Sequence, residues 1–378
     1  MIKTAVFGGS FDPVHIEHIN IAKACVKELG IERLIVLPTE NPPHKRAAET
    51  PFGFRAEMAG IAFSEVAAEI IVDETEREND GVNYSAENLP KLKKKYGDFV
   101  FVIGGDSLDA IESWKNPEFI VRNFQIAVFN RTGYPDAQKK ADELNEKWHG
   151  DIKVMKYVGK AVDSHGIRDR LYLQERADGV PPKVKEYINS HNLYSRFDGY
   201  ISKAKGFLDE KRFVHSKNTA LAALELNRAH KLGVDYDKVL LAGLLHDVGK
   251  KFDKTPLSCD MKDIPADSLG TPVQHQFVSA VIVRDDFHIT DDDILNAIRY
   301  HTTGRENMSA LEKIVYCADL VSSERDFDGV AELRAALADD FGSGFLKCLT
   351  YSRDYVLKTG RTVYPLTDKA INYYKENL

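Results

Sequence analysis

Residues 6–18 read Val-Phe-Gly-Gly-Ser-Phe-Asp-Pro-Val-His-Ile-Glu-His, and the fold of the first half of the chain turns on this stretch. An apolar run enters a glycine pair, crosses Pro13 and opens a helix on His15 and His18. A buried strand, a glycine turn and a helix start in that order make a phosphate-binding βα unit. Gly8 and Gly9 let the backbone approach a ligand with no Cβ in the way. The helix after Pro13 is expected to aim its first N–H groups and its positive dipole end at the same point. His15 and His18 lie three apart, so both are expected on one face, donating to phosphate oxygens.

This opening resembles the nucleotidyltransferases with an HxGH-type signature, and within them the bacterial nicotinate-nucleotide adenylyltransferase family. Glu17 stands where that family carries glycine, so its carboxylate is expected either to repel a triphosphate or to point outward. Further landmarks follow in the family's order. Asn41-Pro42-Pro43-His44-Lys45 resembles its Pro-Pro-His-Lys loop, and Arg55 with Glu57-Met58 resembles its Arg-x-x-Met helix. Residues 103–108, Ile-Gly-Gly-Asp-Ser-Leu, followed by Trp114, resemble the segment under the adenosine, where Asp106 could accept from a ribose hydroxyl. Asn83-Tyr84-Ser85 keeps the tyrosine and a hydroxyl of the segment near the pyridine ring. Ser164-His165-Gly166-Ile167-Arg168 resembles the Ser-Ser-Thr-x-Ile-Arg motif, with His165 and Gly166 departing from it.

The resemblance implies an α/β doubly wound, Rossmann-like nucleotidyltransferase domain over residues 1–196. Its implied reaction is adenylyl transfer from ATP to nicotinate mononucleotide, giving deamido-NAD and pyrophosphate, with Mg²⁺ accompanying ATP. Catalytic roles are implied for His15, His18, Lys45 and Arg168. Substrate contacts are implied for Gly8, Gly9, Ser10, Phe11, Tyr84, Ser85, Gly104, Asp106, Trp114 and Ser164. Both reactants are anions and no protein nucleophile is needed, so the protein's work is in-line alignment and charge neutralisation.

After the polar residues 195–199 the pattern changes from alternating strands and helices to long helical periods, as over 218–232 and 237–245. Here His215, His246-Asp247, His275, His301 and Asp319 recur near helix ends or within apolar runs. Imidazoles and carboxylates on successive helices suit a metal centre in a bundle core, and this donor set favours iron, manganese or zinc. Asp247, beside His246, is placed to bridge two ions. The flanking segments, Leu-Leu-His-Asp-Val-Gly-Lys at 244–250 and Arg-Tyr-His-Thr-Thr-Gly-Arg at 299–305 among them, resemble the HD superfamily of metal phosphohydrolases, closely the type that splits diadenosine tetraphosphate symmetrically into two ADP. The resemblance implies an all-α HD-domain helical bundle over 197–378. Its two transition-metal ions, with iron expected, would be held by His215, His246, Asp247, His275, His301 and Asp319. Asp247 would also act in catalysis, while Lys250 and Arg305 would balance the polyphosphate.

Length and an apolar fraction of 43% over 378 residues support two ordinary globular domains. With 51 basic against 58 acidic residues, net −7, there is no basic stripe for nucleic acid, and polyanion handling must be local to the sites. Four cysteines, Cys25, Cys259, Cys317 and Cys348, are scattered without paired spacing, as expected of reduced thiols. With no signal-peptide plan at the start and no apolar run long enough to span a bilayer, a cytoplasmic protein without membrane partners is expected. Homo-oligomerisation stays open. So does a second reading, in which the first domain senses a nucleotide without turnover and regulates an HD-domain phosphohydrolase of another nucleotide.

Overall fold

The computed structural model describes residues 2–41, 48–78, 81–132, 136–252 and 263–377. The expected loop at 42–45, with Lys45, and Cys259 lie outside them. The chain divides into two compact units, Met1–Ser195 and Arg196–Leu378.

In the first unit β1 (Thr4–Gly9) leads to α1 (Ile16–Leu29), β2 (Arg33–Pro38), α2 (Phe52–Phe63) and β3 (Glu69–Val72). The chain returns through α3 (Ser85–Tyr96) to β4 (Val100–Gly104) and continues with α4 (Gly105–Ala110), α5 (Pro117–Asn123) and β5 (Gln125–Arg131). It closes with α6 (Ala137–Trp148), β6 (Asp151–Gly159), α7 (Ser164–Tyr172) and α8 (Pro182–Ser190). All strands are parallel, in the order β3-β2-β1-β4-β5-β6. Helices on both faces bury such strands completely, which is why Ala5-Val6-Phe7 and Leu34-Ile35-Val36-Leu37 are continuous apolar runs. The strand order reverses between β1 and β4, and a doubly wound sheet binds its ligand at the carboxyl ends on either side of that switch. Those ends are Gly8-Gly9 and Gly104-Gly105. A Cβ on Gly105 would stand 2.7 Å from Oδ1 of Asn130, so the turn into α4 needs glycine.

The second unit is helical: α9 (Asp198–Phe207), α10 (Glu210–Ala229), α11 (Tyr236–Leu245), α12 (Gln274–Asp285), α13 (Asp292–Arg299), α14 (Ala310–Val321), α15 (Val330–Asp339), α16 (Phe341–Lys358) and α17 (Pro365–Asn377). The starts follow from capping. Asp209 accepts from the Arg212 N–H at 2.9 Å and starts α10 at Glu210, ahead of the helical period at 218, so His215 lies inside the helix. Asp235 and Asp291 cap α11 and α13, and Ser309 with Glu312 forms a reciprocal capping box on α14. Two glycines set the helix spacing. A Cβ on Gly243 would meet Cα of Ala220 at 2.7 Å, and one on Gly249 would meet the Ser279 nitrogen at 2.5 Å. The first brings α10 and α11 into close contact, and the second seats the turn after α11 on α12.

Candidate functional site

In the first unit a cavity of about 250 Å³ opens at the switch point. Gly8, Gly9, Ser10, Tyr84, Ser85, Gly104, Asp106 and Trp114, all expected to touch substrate, line it together with Thr39, Glu76, Asn83 and Lys115. Arg55, itself 1% exposed, ties the surrounding loops together: Nη1 donates to Ser10 O and Thr39 O, both at 2.8 Å, and Nε to Thr50 O at 2.8 Å. Glu76 accepts from the Glu40 N–H at 2.9 Å, and burial pushes its carboxyl up to about 7.

Neither His15 nor His18 is among the residues that line the cavity, and the two differ. His18 accepts the His15 backbone N–H on Nδ1 at 3.1 Å, which places its own proton on Nε2. His15 is 1% exposed, and its ring stacks on His18 with centroids 3.7 Å apart. Burial, reinforced by Arg131, pushes its imidazole down to about 4. The expected pair of donors on one open face is therefore corrected. His15 is a neutral, buried ring whose Nδ1 has no partner, and it backs His18. Two other expectations change. The first N–H of α1, at Ile16, donates to Gly179 O at 2.8 Å rather than pointing at a ligand. Phe11 does not line the cavity; it is fully buried, with its ring 5.0 Å from His18.

Glu17 neither faces a triphosphate nor points outward. It is 2% exposed, and its carboxylate accepts from Tyr157 OH at 2.8 Å, the Lys160 N–H at 3.0 Å and Asn20 Nδ2 at 2.9 Å. Asp12 is a second junction that sequence reasoning left unassigned. It accepts from Tyr194 OH at 2.7 Å and the Glu49 N–H at 3.1 Å, and its backbone carbonyl accepts from Arg168. Ser164 Oγ donates to Pro13 O at 3.1 Å, so it holds the phosphate loop rather than reaching into the cavity. Asp163 caps α7, the helix that carries Arg168.

In the second unit the six expected ligands converge. Three overlapping triads, His215-His246-Asp247, His246-His301-Asp319 and Asp247-His275-His301, each place their donor atoms within 4.8 Å of one another. The imidazoles are oriented from behind. Nδ1–H of His246, His275 and His301 donates to the carbonyls of Gly243, Pro272 and Ile298 at 2.8, 2.8 and 2.7 Å, and Nδ1 of His215 meets Glu324. A carbonyl can only accept, so the Nε2 lone pairs of those three point inward. Nε2 of His275 and His301 stand 3.4 and 3.6 Å from Asp247 Oδ1, and Nε2 of His215 is 2.9 Å from Asp319 Oδ1. Nε2 of His246 is buried without a hydrogen-bond partner, an arrangement that a cation relieves. The residues therefore fit a divalent metal centre. Burial pushes the His246 and His275 imidazoles down, to about 4 and about 3, which keeps them in the ligating form. Burial also opposes the charge on Asp319, but the hydrogen bond from His215, with His246 and Arg325 nearby, holds that carboxyl well below the usual range.

Lys250 lies with its ammonium 3.2 Å from Nε2 of His275. Arg305, expected to balance the polyphosphate, is already paired within the protein. Its fork is engaged by the buried Glu312, at 2.6 and 3.2 Å, and its guanidinium covers the Tyr300 ring at 4.8 Å. Arg325 was unassigned in the sequence, yet its guanidinium donates to Asp319 and lies 3.2 Å from Nε2 of His215.

Fold and sites define the class: a doubly wound nucleotide-binding domain joined to a helical HD domain. A cytidylyltransferase-like family model matches residues 6–170 and an HD domain model residues 212–324. A Mycoplasma genitalium relative named "probable nicotinate-nucleotide adenylyltransferase/Ap4A hydrolase" is 28% identical over 85% of this chain and 88% of its own. A Lachnoclostridium phytofermentans probable nicotinate-nucleotide adenylyltransferase is 32% identical over 51% of this chain and 100% of its own. Among solved structures, one named "predicted HD superfamily hydrolase involved in NAD metabolism" from Clostridium acetobutylicum is 30% identical over 48% of this chain and 98% of its own, with a TM-score of 0.41. The chain belongs to the nicotinate-nucleotide adenylyltransferase family, in the form joined to an HD domain.

Proposed function

We propose that the chain is a bifunctional enzyme: the first domain, 1–196, makes deamido-NAD from nicotinate mononucleotide and Mg-ATP, and the second, 197–378, cleaves diadenosine tetraphosphate symmetrically to two ADP. The observation that carries the first activity is the cavity at the strand-order switch, lined by Gly8, Gly9, Ser10, Tyr84, Ser85, Gly104, Asp106 and Trp114; His18, on the helix that follows the glycine turn, has its proton on Nε2. A phosphate oxygen of the mononucleotide bonds to the α-phosphorus of ATP, the bond from that phosphorus to the β-phosphate bridge breaks, and pyrophosphate leaves with the electron pair. The Gly8-Gly9 backbone admits the phosphates, His18 Nε2–H donates to an oxygen gaining charge, and Arg168 neutralises the leaving pyrophosphate. Asp12, held by the Tyr194 hydroxyl, accepts from Arg168 on its backbone carbonyl and so fixes the guanidinium.

The second activity rests on the four imidazoles oriented through Nδ1. Bound divalent ions, iron expected, would supply Lewis acidity toward a phosphoryl oxygen and an acidified water. The chain's own contribution is Asp247 shared between two triads, the backbone carbonyls and Glu324 that fix the imidazoles, and the Lys250 ammonium beside the cluster as polyphosphate counter-charge. The sensor reading loses its first motive, because the Glu17 carboxylate is taken up by Tyr157 and Lys160.

Steady-state assays of the full chain test both activities. Deamido-NAD should form from nicotinate mononucleotide and Mg-ATP, and His18→Ala should slow it by about a hundredfold or more. No product from the wild-type chain would return the first domain to the sensor reading. Products other than two ADP from diadenosine tetraphosphate would overturn the symmetrical assignment.

A further inference from the structure

Lys115 is the only lysine, arginine or histidine among the described residues that line the first-unit cavity; the acids there are Glu76 and Asp106. It follows Trp114, and its ammonium stands 4.3 Å over the ring of Tyr84, so the one cation of the lining lies against one of the lining's three aromatic residues, Tyr84, Phe101 and Trp114. Tyr84 is the N-cap of α3, and the next residue, Ser85, also lines the cavity, which puts the positive end of that helix on the same wall. The ammonium also donates to Glu87 at 2.6 Å, in a pair whose side chains are 45% and 51% exposed. A half-exposed pair of this kind is weak, and an ammonium has two further donors on a flexible stem.

Pyridine mononucleotides come in two forms that fill the same space and differ in charge: an acid, whose ring substituent only accepts hydrogen bonds, and a neutral amide. Shape and stacking against Tyr84 and Trp114 cannot separate them. A cation on the wall can, because it gains a charge partner from one and only a dipole from the other. Resting on the reading of this cavity as a pyridine-nucleotide site, we propose that Lys115 is the specificity-determining residue that selects the carboxylate-bearing mononucleotide over its carboxamide.

The test uses the full chain with saturating Mg-ATP and measures kcat/KM for nicotinate mononucleotide and for nicotinamide mononucleotide. Lys115→Met should lower kcat/KM for the acid about tenfold or more, chiefly through KM, and leave the amide within about twofold. Lys115→Arg should restore most of the preference. Lys115 is at the surface, so neither variant threatens folding. If Lys115→Met slows both substrates alike, the residue only shapes Tyr84, and the proposal fails; it fails equally if the acid is unaffected. A wild-type chain that adenylylates neither mononucleotide overturns the reading of the cavity, and this proposal with it.

Discussion

Glu17 shows how far a single side chain can depart from what its place in a motif suggests. Its buried carboxylate has three donors, and two of them, Tyr157 and Lys160, belong to the end of β6 and the segment just after it. Gly159 makes room: a Cβ there would stand 3.2 Å from Oε2 of Glu17. The residue latches the first turn of α1 to the segment that feeds α7 and Arg168. Glu17→Gly would leave the Tyr157 hydroxyl and the Lys160 N–H without their carboxylate acceptor and put glycine inside a helix, and should cost about 2 kcal/mol in denaturant unfolding. ATP affinity should stay level or fall. Tighter ATP binding at unchanged stability would show that the carboxylate opposes the triphosphate after all. Glu76 supports a prediction of opposite chemical sign. Burial raises its folded-state carboxyl from 4.5 to about 7, so the folded state holds the proton more tightly than the unfolded chain. Its contribution is complete below about pH 4.5 and is lost as pH rises through about 7. Glu76→Gln keeps an acceptor for the Glu40 N–H and removes the charge. Its stability relative to wild type should therefore increase between pH 5 and pH 8; a flat difference over that range would mean that Glu76 ionises normally.

At the scale of elements, the metal cluster depends on how closely helices approach rather than on any ligand's own conformation. Gly249 follows His246-Asp247 and sits against the Ser279 nitrogen of α12, the helix that carries His275. A methyl group there meets backbone and cannot be absorbed by a side-chain rotation. Gly249→Ala should push the two ligand-bearing elements apart, lower metal affinity about tenfold or more and lower hydrolysis with it, because centres of this kind tolerate little displacement. Metal content after dialysis against a weak chelator measures this directly; full retention would show that the turn is slack. The same elements explain what was legible in the sequence. The β1–α1 opening could be read because a strand, a glycine pair and a helix start are local signals. The ligands could be read because each lies in a short flanking pattern of its own. Contacts that depend on tertiary packing could not. Glu324 orients His215 across 109 positions, and Glu17 meets Tyr157 across 140. The partner of Arg305 was not legible for another reason: a cation near a helix end says nothing of which acid it will meet, and the buried Glu312 pairs with its fork. The neutrality of His15 follows from its burial and, second, from the charge of Arg131, neither of which a three-residue spacing can report.

At the scale of the whole molecule, each unit has its own hydrophobic core, one under the parallel sheet around Ile35, Phe101 and Val128, the other around Tyr316, Phe345 and Tyr374. The two sites draw no residue in common. That separation makes the two proposed activities independently removable, and Asp247 is the residue on which to try it. Asp247 belongs to two of the three triads, one with His215 and His246 and one with His275 and His301, so its two oxygens face both halves of the cluster. His215 belongs to one triad only. Asp247→Ala should therefore lower bound metal from about two equivalents to below one and abolish cleavage of diadenosine tetraphosphate, whereas His215→Ala should retain about one equivalent. Adenylyl transfer should stay within about twofold in both variants, since no ligand of the cluster lines the first site. Metal analysis alongside both assays on the same preparation separates the outcomes. Two full equivalents in Asp247→Ala, or retained hydrolysis, would return Asp247 to a hydrogen-bond acceptor for its neighbouring histidines. A matching fall in adenylyl transfer would mean that the two units are energetically coupled rather than two catalysts on one chain.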